Sequence, residues 1–140
     1  MSVRRIDQGG AAAAAGLLPD TVDPKLRKEL RTRYRQLRAM LHGAGLAATY
    51  AFMAAKTSGD LGESYSTVAH GLRQRLTERG LFTGDPTTMG PAEVLGQLGR
   101  MDSVRYARAS AEAAALLGWL SRLADASYQR AESADDAGSR

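Results

Sequence analysis

Residues 23–42, DPKLRKELRTRYRQLRAMLH, decide the fold class. Asp23 is a residue type that accepts hydrogen bonds from the free N–H groups of a helix start, and Pro24 suits the first helical position, where its missing N–H is no loss. From there Leu26, Leu30, Tyr34, Leu37 and Leu41 recur at spacings of three and four, the period of one buried helical face. The stretch is also densely basic. Within residues 25–38, Lys25, Arg27, Lys28, Arg31, Arg33, Arg35 and Arg38 stand against Glu29 alone, a local +6 in a chain whose total is +4, so the remainder sums to −2. Advancing about 100° per residue puts Arg27, Lys28, Arg31, Arg35, Arg38 and His42 together opposite the apolar sector. Arg33 falls at the sector's edge near Glu29 and Gln36 and reads as an intrahelical partner.

The same helical period continues on both sides. Upstream, Val3 to Leu18 is rich in alanine, with Gly9, Gly10 and Gly16 as weak points, and predicts a helix ended by Leu17-Leu18-Pro19-Asp20. Downstream, Gly43 and Gly45 mark a break before an apolar helix that runs to about Lys56. Leu61, Tyr65, Val68, Leu72 and Leu76 define another helix closed by Gly80. Thr83 to Pro91 reads as a loop, and Pro91 starts a short helix to about Gly99. Asp102 or Ser103 caps a long helix reaching about Tyr128, with Ala109, Ala113, Leu116, Leu117, Leu120, Leu123 and Ala124 facing one way. No run of β-branched residues alternates with polar ones, so no strand is expected. The expectation is an all-α, single-domain bundle of five to six helices over residues 1–128, followed by a disordered tail over 129–140.

At 140 residues the chain can bury a core without staples, and it has no cysteine to form one. That absence excludes disulfides, thiolate metal sites and cysteine nucleophiles, and it accords with a cytoplasmic address. Arg4-Arg5 before an apolar stretch imitates an export signal, but Asp7, Gln8, Gly9 and Gly10 interrupt it, and no stretch is apolar enough to span a membrane. His42 and His70 lie on different helices with no carboxylate three or four residues away, and Glu63, Glu78, Glu93 and Glu112 are spread over separate helices. No catalytic residue, metal ligand or cofactor motif is therefore expected.

The basic face has a bland reading, a solvated surface, and a sharper one. Arg27, Arg31 and Arg35 are like charges at helical neighbour spacing with no acid between them on that face, an arrangement that an outside anion would relieve. Phosphate is the natural anion, because guanidinium donors match its oxygens and a row of them can follow a nucleic-acid backbone. Arg27, Lys28, Arg31, Arg35 and Arg38 are the candidate RNA-binding residues on this ground. A helix-turn-helix DNA reader would need a polar recognition helix after the turn, and the helix after Gly45 is apolar. A helical adaptor whose basic face binds an acidic partner protein remains open. Trp119, on the flank of the last helix with Arg105, Arg108, Glu112 and Arg122, either seals the edge of the core or stacks on a base.

The combination of motifs resembles one family. Tyr34 to Leu37, Gly45-Leu46, the Ala-Phe-x-x-x-Lys segment from Ala51 to Lys56, Glu112-Ala113 and Trp119-Leu120-Ser121-Arg122 are similar, in order and spacing, to the small subunit of type III-B CRISPR effector complexes, the Cmr small-subunit family. The resemblance covers about residues 24 to 126. It implies a non-catalytic helical subunit that stacks with copies of itself along guide RNA and target RNA beside the other Cmr subunits, in antiviral defence. Position by position it adds Lys56 and Arg122 as candidate RNA contacts, and it marks Gly45, Phe52, Glu112 and Trp119 as structural.

Overall fold

The computed structural model describes residues 3–138 as six helices: α1 (Val3–Ala15), α2 (Pro24–Ala44), α3 (Leu46–Ala55), α4 (Gly59–Glu78), α5 (Pro91–Arg100) and α6 (Ser103–Gly138). No strand occurs among the described residues, and none of their helices is long and apolar enough to cross a membrane. The all-α expectation is met in element order and number.

The helix boundaries follow local chemistry. Asp23 Oδ1 accepts from the Lys25 N–H at 3.0 Å with Pro24 at the first position, which starts α2 as its sequence predicts. Gly45, at φ 95°, turns the chain between α2 and α3, a backbone angle that a side chain resists. Gly45 has no side chain with which to cap α3; instead the Tyr106 hydroxyl, reaching over from α6, accepts from the Ala47 N–H at 3.1 Å. At the end of α4, the Gly80 N–H bonds to the Thr77 carbonyl and the Leu81 N–H to the Leu76 carbonyl, the paired closure that a left-handed glycine permits. Asp102 Oδ1 accepts from the Arg105 N–H at 2.8 Å and starts α6.

The core is built on α6. Ala109, Ala113, Leu116, Leu117, Leu120 and Ala124 are at most 1 % exposed, and α1 and α2 lie along this helix. α2 contributes Leu30, Tyr34, Leu37 and Leu41 to the core, and α3, α4 and α5 close it with Leu46, Tyr50, Met53, Val68, Leu72, Leu76, Val94 and Leu98. α2 runs antiparallel to α6: Arg31 meets Asp125 near one end, and Ala47 meets Tyr106 just past the other.

Two features differ from the sequence reading. The glycines of α1 do not interrupt the helix; they let it approach its neighbours. A Cβ on Gly10 would stand 2.8 Å from the Ala115 Cβ of α6, and one on Gly9 would collide with the Arg75 guanidinium of α4. The close contact offsets the intrinsic penalty of glycine in a helix. The tail expected to be disordered from Gln129 instead continues α6 as far as Gly138, leaving only residues 139–140 of that stretch outside the described residues. Glu132 reaches Arg31 of α2 at 3.6 Å and the Ser133 hydroxyl bonds back to the Gln129 carbonyl at 3.1 Å, so this last part of the helix still has partners.

Candidate nucleic-acid interface

α2 presents its cations along a seam with α6, and the structure sorts them into three groups. Arg27 is buried, 6 % exposed, with its Nε donating to the Thr21 carbonyl at 2.7 Å. The expectation that it shares the solvent face is corrected. Its helical angle lies at the margin of the apolar sector, and the segment leading into α2 folds over it.

Arg31 and Arg35 reach across to α6. Arg31 Nε donates to Asp125 Oδ1 at 3.1 Å and its Nη1 stands 3.6 Å from Glu132 Oε2, while Arg35 Nη2 donates to the same Asp125 oxygen at 3.2 Å. The Arg31 side chain is 25 % exposed and that of Arg35 is 61 % exposed. These stacked arginines therefore do not depend on an anion from outside. They do have an anion, and α6 supplies it.

Lys28, Arg38 and His42 are exposed and none of them is paired with a carboxylate among the described residues. Arg38 leans over α6, its Nε 3.9 Å from where a Cβ on Gly118 would stand. With Arg35, Ala39, Leu41, His42 and Ala114 it lines an open cleft of about 510 Å³ that has an apolar floor and a cationic rim. Arg33 lies apart from this group, donating to Gln36 at 3.3 Å, in keeping with its reading as a local partner.

The two cations added by the family resemblance sit elsewhere. Lys56, at the end of α3, places its Nζ 5.1 Å from the centre of the Phe52 ring, which in turn meets Tyr65 edge-on at 5.6 Å. Arg122 on α6 lies 5.4 Å over the Trp119 ring. The Trp119 indole N–H donates to Asp7 of α1 at 2.8 Å, and the half-buried ring packs against the core. Trp119 thus seals the edge between α1 and α6, the structural role expected of it, and Arg122 covers one face of its ring.

Sequence reasoning missed the most buried ionic group. Glu112 is 2 % exposed and accepts from Arg75 Nε at 3.0 Å and from Arg79 Nε at 2.9 Å, tying α4 to α6. Its position in a Glu-Ala motif marks a structural residue but names no partner, because the arginines lie on another helix. Among the described residues no three His, Cys, Asp or Glu side chains come together in a way that could hold a metal.

The chain is thus an all-helical bundle with one long central helix and a cationic seam beside it. Compared with known protein families, residues 6–127 match the profile of the CRISPR-associated protein (Cas_Cmr5) family, and the chain belongs to that family. Neither the curated proteins nor the solved structures give a match.

Proposed function

We propose that the chain is a non-catalytic, RNA-associated scaffold subunit of a type III-B CRISPR ribonucleoprotein, lying along guide RNA and target RNA beside further copies of itself and the other Cmr subunits. Membership of the family supports the place in a CRISPR assembly. The observation that carries the RNA reading is the exposure of Lys28 and Arg38, cations of α2 that keep no carboxylate of their own among the described residues, with the His42 imidazole exposed on the same helix. Arg35 joins them, since its side chain is largely exposed and shares Asp125 with Arg31. Cations so placed hold a phosphate backbone without reading base edges, which suits a subunit that must accept any guide. The scaffold reading also fits the role of the anchored carboxylates, Glu112 and Asp125, each of which holds two arginines.

The same seam supports a second reading. Asp125 and Glu132 already occupy Arg31, so these guanidiniums accept carboxylates, and an adaptor docking an acidic protein would use the same face. Nuclease digestion of the native assembly separates the two. The scaffold reading expects the chain to leave the assembly, or the assembly to fall apart, once RNA is digested, whereas an adaptor stays bound. Sedimentation adds a second arm. The isolated protein should be a monomer at micromolar concentration that forms larger species on a long RNA, because neighbours tethered to one strand gain effective concentration. A closed dimer unchanged by RNA would overturn the scaffold.

A further inference from the structure

Away from the α2–α6 seam, a smaller cavity of about 160 Å³ opens between α3, α4 and the start of α5, its walls including Tyr50, Met53, Lys56, Arg73 and Met89. Arg73 is half-buried in this wall. Its Nε donates to the Pro86 carbonyl at 2.8 Å, its Nη1 donates to the Tyr50 hydroxyl at 2.8 Å, and its Nη2 lies 3.4 Å from His70 Nδ1. None of these partners is a carboxylate, and a guanidinium has more N–H donors than they take up. Arg75 on the same helix and Arg79 just past its end both grip Glu112, whereas Arg73 has no carboxylate among the described residues.

The other groups at the cavity point the same way. Lys56 stands at the rim against the Phe52 ring, also without a carboxylate partner among the described residues. Tyr50 is 2 % exposed; its hydroxyl accepts from Arg73, while its own proton has no acceptor among the described residues. No aspartate or glutamate lines the cavity. Removing a guanidinium from water without a compensating anion is costly, and a buried hydroxyl proton without an acceptor adds to that cost. The cavity therefore gathers two positive charges and a free O–H donor with nothing negative to meet them.

We propose that this cavity is a binding site for a terminal phosphate monoester. A monoester carries about −1.5 to −2 charges at neutral pH, which matches Arg73 and Lys56 together, whereas an internal phosphodiester carries only one. The Arg73 fork and the Tyr50 O–H suit phosphate oxygens, and Lys56 supplies a point charge at the mouth. The space is larger than a phosphate alone needs, and Met53, Met89 and Pro91 offer an apolar wall to the first atoms of whatever bears it. A free nucleotide and the end of an RNA strand present the same chemistry. The site shares no residue with the α2–α6 cleft, so it stands independently of the RNA reading of that seam.

The test is calorimetric titration of the full chain with inorganic phosphate, AMP and adenosine. Saturable binding of phosphate and AMP, with none of adenosine, is expected. Lys56→Gln, at an exposed residue, should weaken AMP binding by about tenfold, the loss of one charge-assisted contact. Tyr50→Phe, which removes only the hydroxyl and with it the bond from Arg73, should weaken it by a smaller factor while the chain stays folded. Adenosine binding as well as AMP, no binding of any of the three, or an AMP affinity that Lys56→Gln leaves unaltered would each overturn the site. A short RNA with and without a 5′-phosphate then distinguishes the sources. A preference for the phosphorylated strand, lost in Lys56→Gln, assigns the site to an RNA end, and equal binding of the two strands beside saturable AMP binding assigns it to free nucleotide. AMP binding by a protein that takes up neither RNA keeps the site while refuting the scaffold function.

Discussion

Two carboxylates of α6 hold two arginines each, in opposite surroundings. Glu112 is 2 % exposed and joins α6 to Arg75 of α4 and Arg79 at its C-terminal end, whereas the Asp125 side chain is 39 % exposed and joins α6 to Arg31 and Arg35 of α2. The bond lengths are alike, so geometry does not separate them; access to water does. In the first cluster, losing the carboxylate would leave guanidiniums desolvated without a counter-charge, and that makes the contact a fixed part of the fold. In the second, water screens the pair and can take over its hydrogen bonds, and the net worth of the contact is small. Arginines held that loosely can exchange a carboxylate for a phosphate, which makes the α2–α6 seam a suitable place for a nucleic-acid backbone.

The largest effect should come from the buried side of this comparison. Glu112→Gln keeps the shape and removes the charge, and is expected to cost about 3 to 5 kcal/mol of stability. Urea unfolding followed by circular dichroism checks it, and a midpoint like that of the parent chain would mean that the buried cluster is dispensable. Trp119→Ala comes next. It removes a ring packed on the core and its hydrogen bond to Asp7 at the α1–α6 edge, for a loss on the order of 3 kcal/mol in the same assay. If the variant melts normally yet loses RNA, the ring serves as a stacking platform instead of a seal.

On the exposed side the signs diverge. Asp125→Asn should change stability by less than about 1 kcal/mol while freeing Arg35 and leaving Arg31 only its 3.6 Å contact with Glu132, so RNA affinity should rise. A matched neutralisation at an exposed acid away from the seam, Glu78→Gln, separates release of the arginines from the simple gain in net charge; equal rises in the two variants would deny Asp125 any special role. The smallest effect concerns Tyr34 of α2. Its hydroxyl is buried with no hydrogen-bond partner among the described residues, and burial holds its pKa far above the usual phenol value. Tyr34→Phe should therefore be neutral or stabilise by up to about 1 kcal/mol, and a clear loss of stability would show that the hydroxyl has a partner.

How much of this was legible in the sequence depended on distance along the chain. The buried stripe of α2, its Asp23 start and the Gly80 closure of α4 involve residues a few positions apart, and local periodicity or capping chemistry was enough to place them. The Arg31–Asp125 pair joins residues 94 apart, and Glu112 takes Arg75 from 37 positions away, spacings that no helical wheel relates. Arg27 shows the limit of the wheel itself: angle identified a marginal position, but which segment would fold over it was not written in α2. Gly9 and Gly10 misled for a related reason. Propensity counts what a glycine loses within its own helix, and their value here lies in what α4 and α6 can approach. The end of α6 gave no apolar stripe to read, because its last described partners are an ion pair and a serine back-bond.

The central claim is that exposed cations of α2, outside the Asp125 cluster, hold an RNA backbone. The most direct test is a filter-binding titration of the parent chain and a Lys28→Glu, Arg38→Glu double variant with a long single-stranded RNA over a range of salt. Neither residue is paired with a carboxylate among the described residues, so both proteins should melt alike. For the parent chain log K should fall linearly with log salt, and in the variant the slope should be shallower by roughly 1.4, about 0.7 per lost phosphate contact. Affinity would drop with it. Equal slopes and equal affinities in the two proteins would contradict the account, since the seam would then play no part in holding RNA.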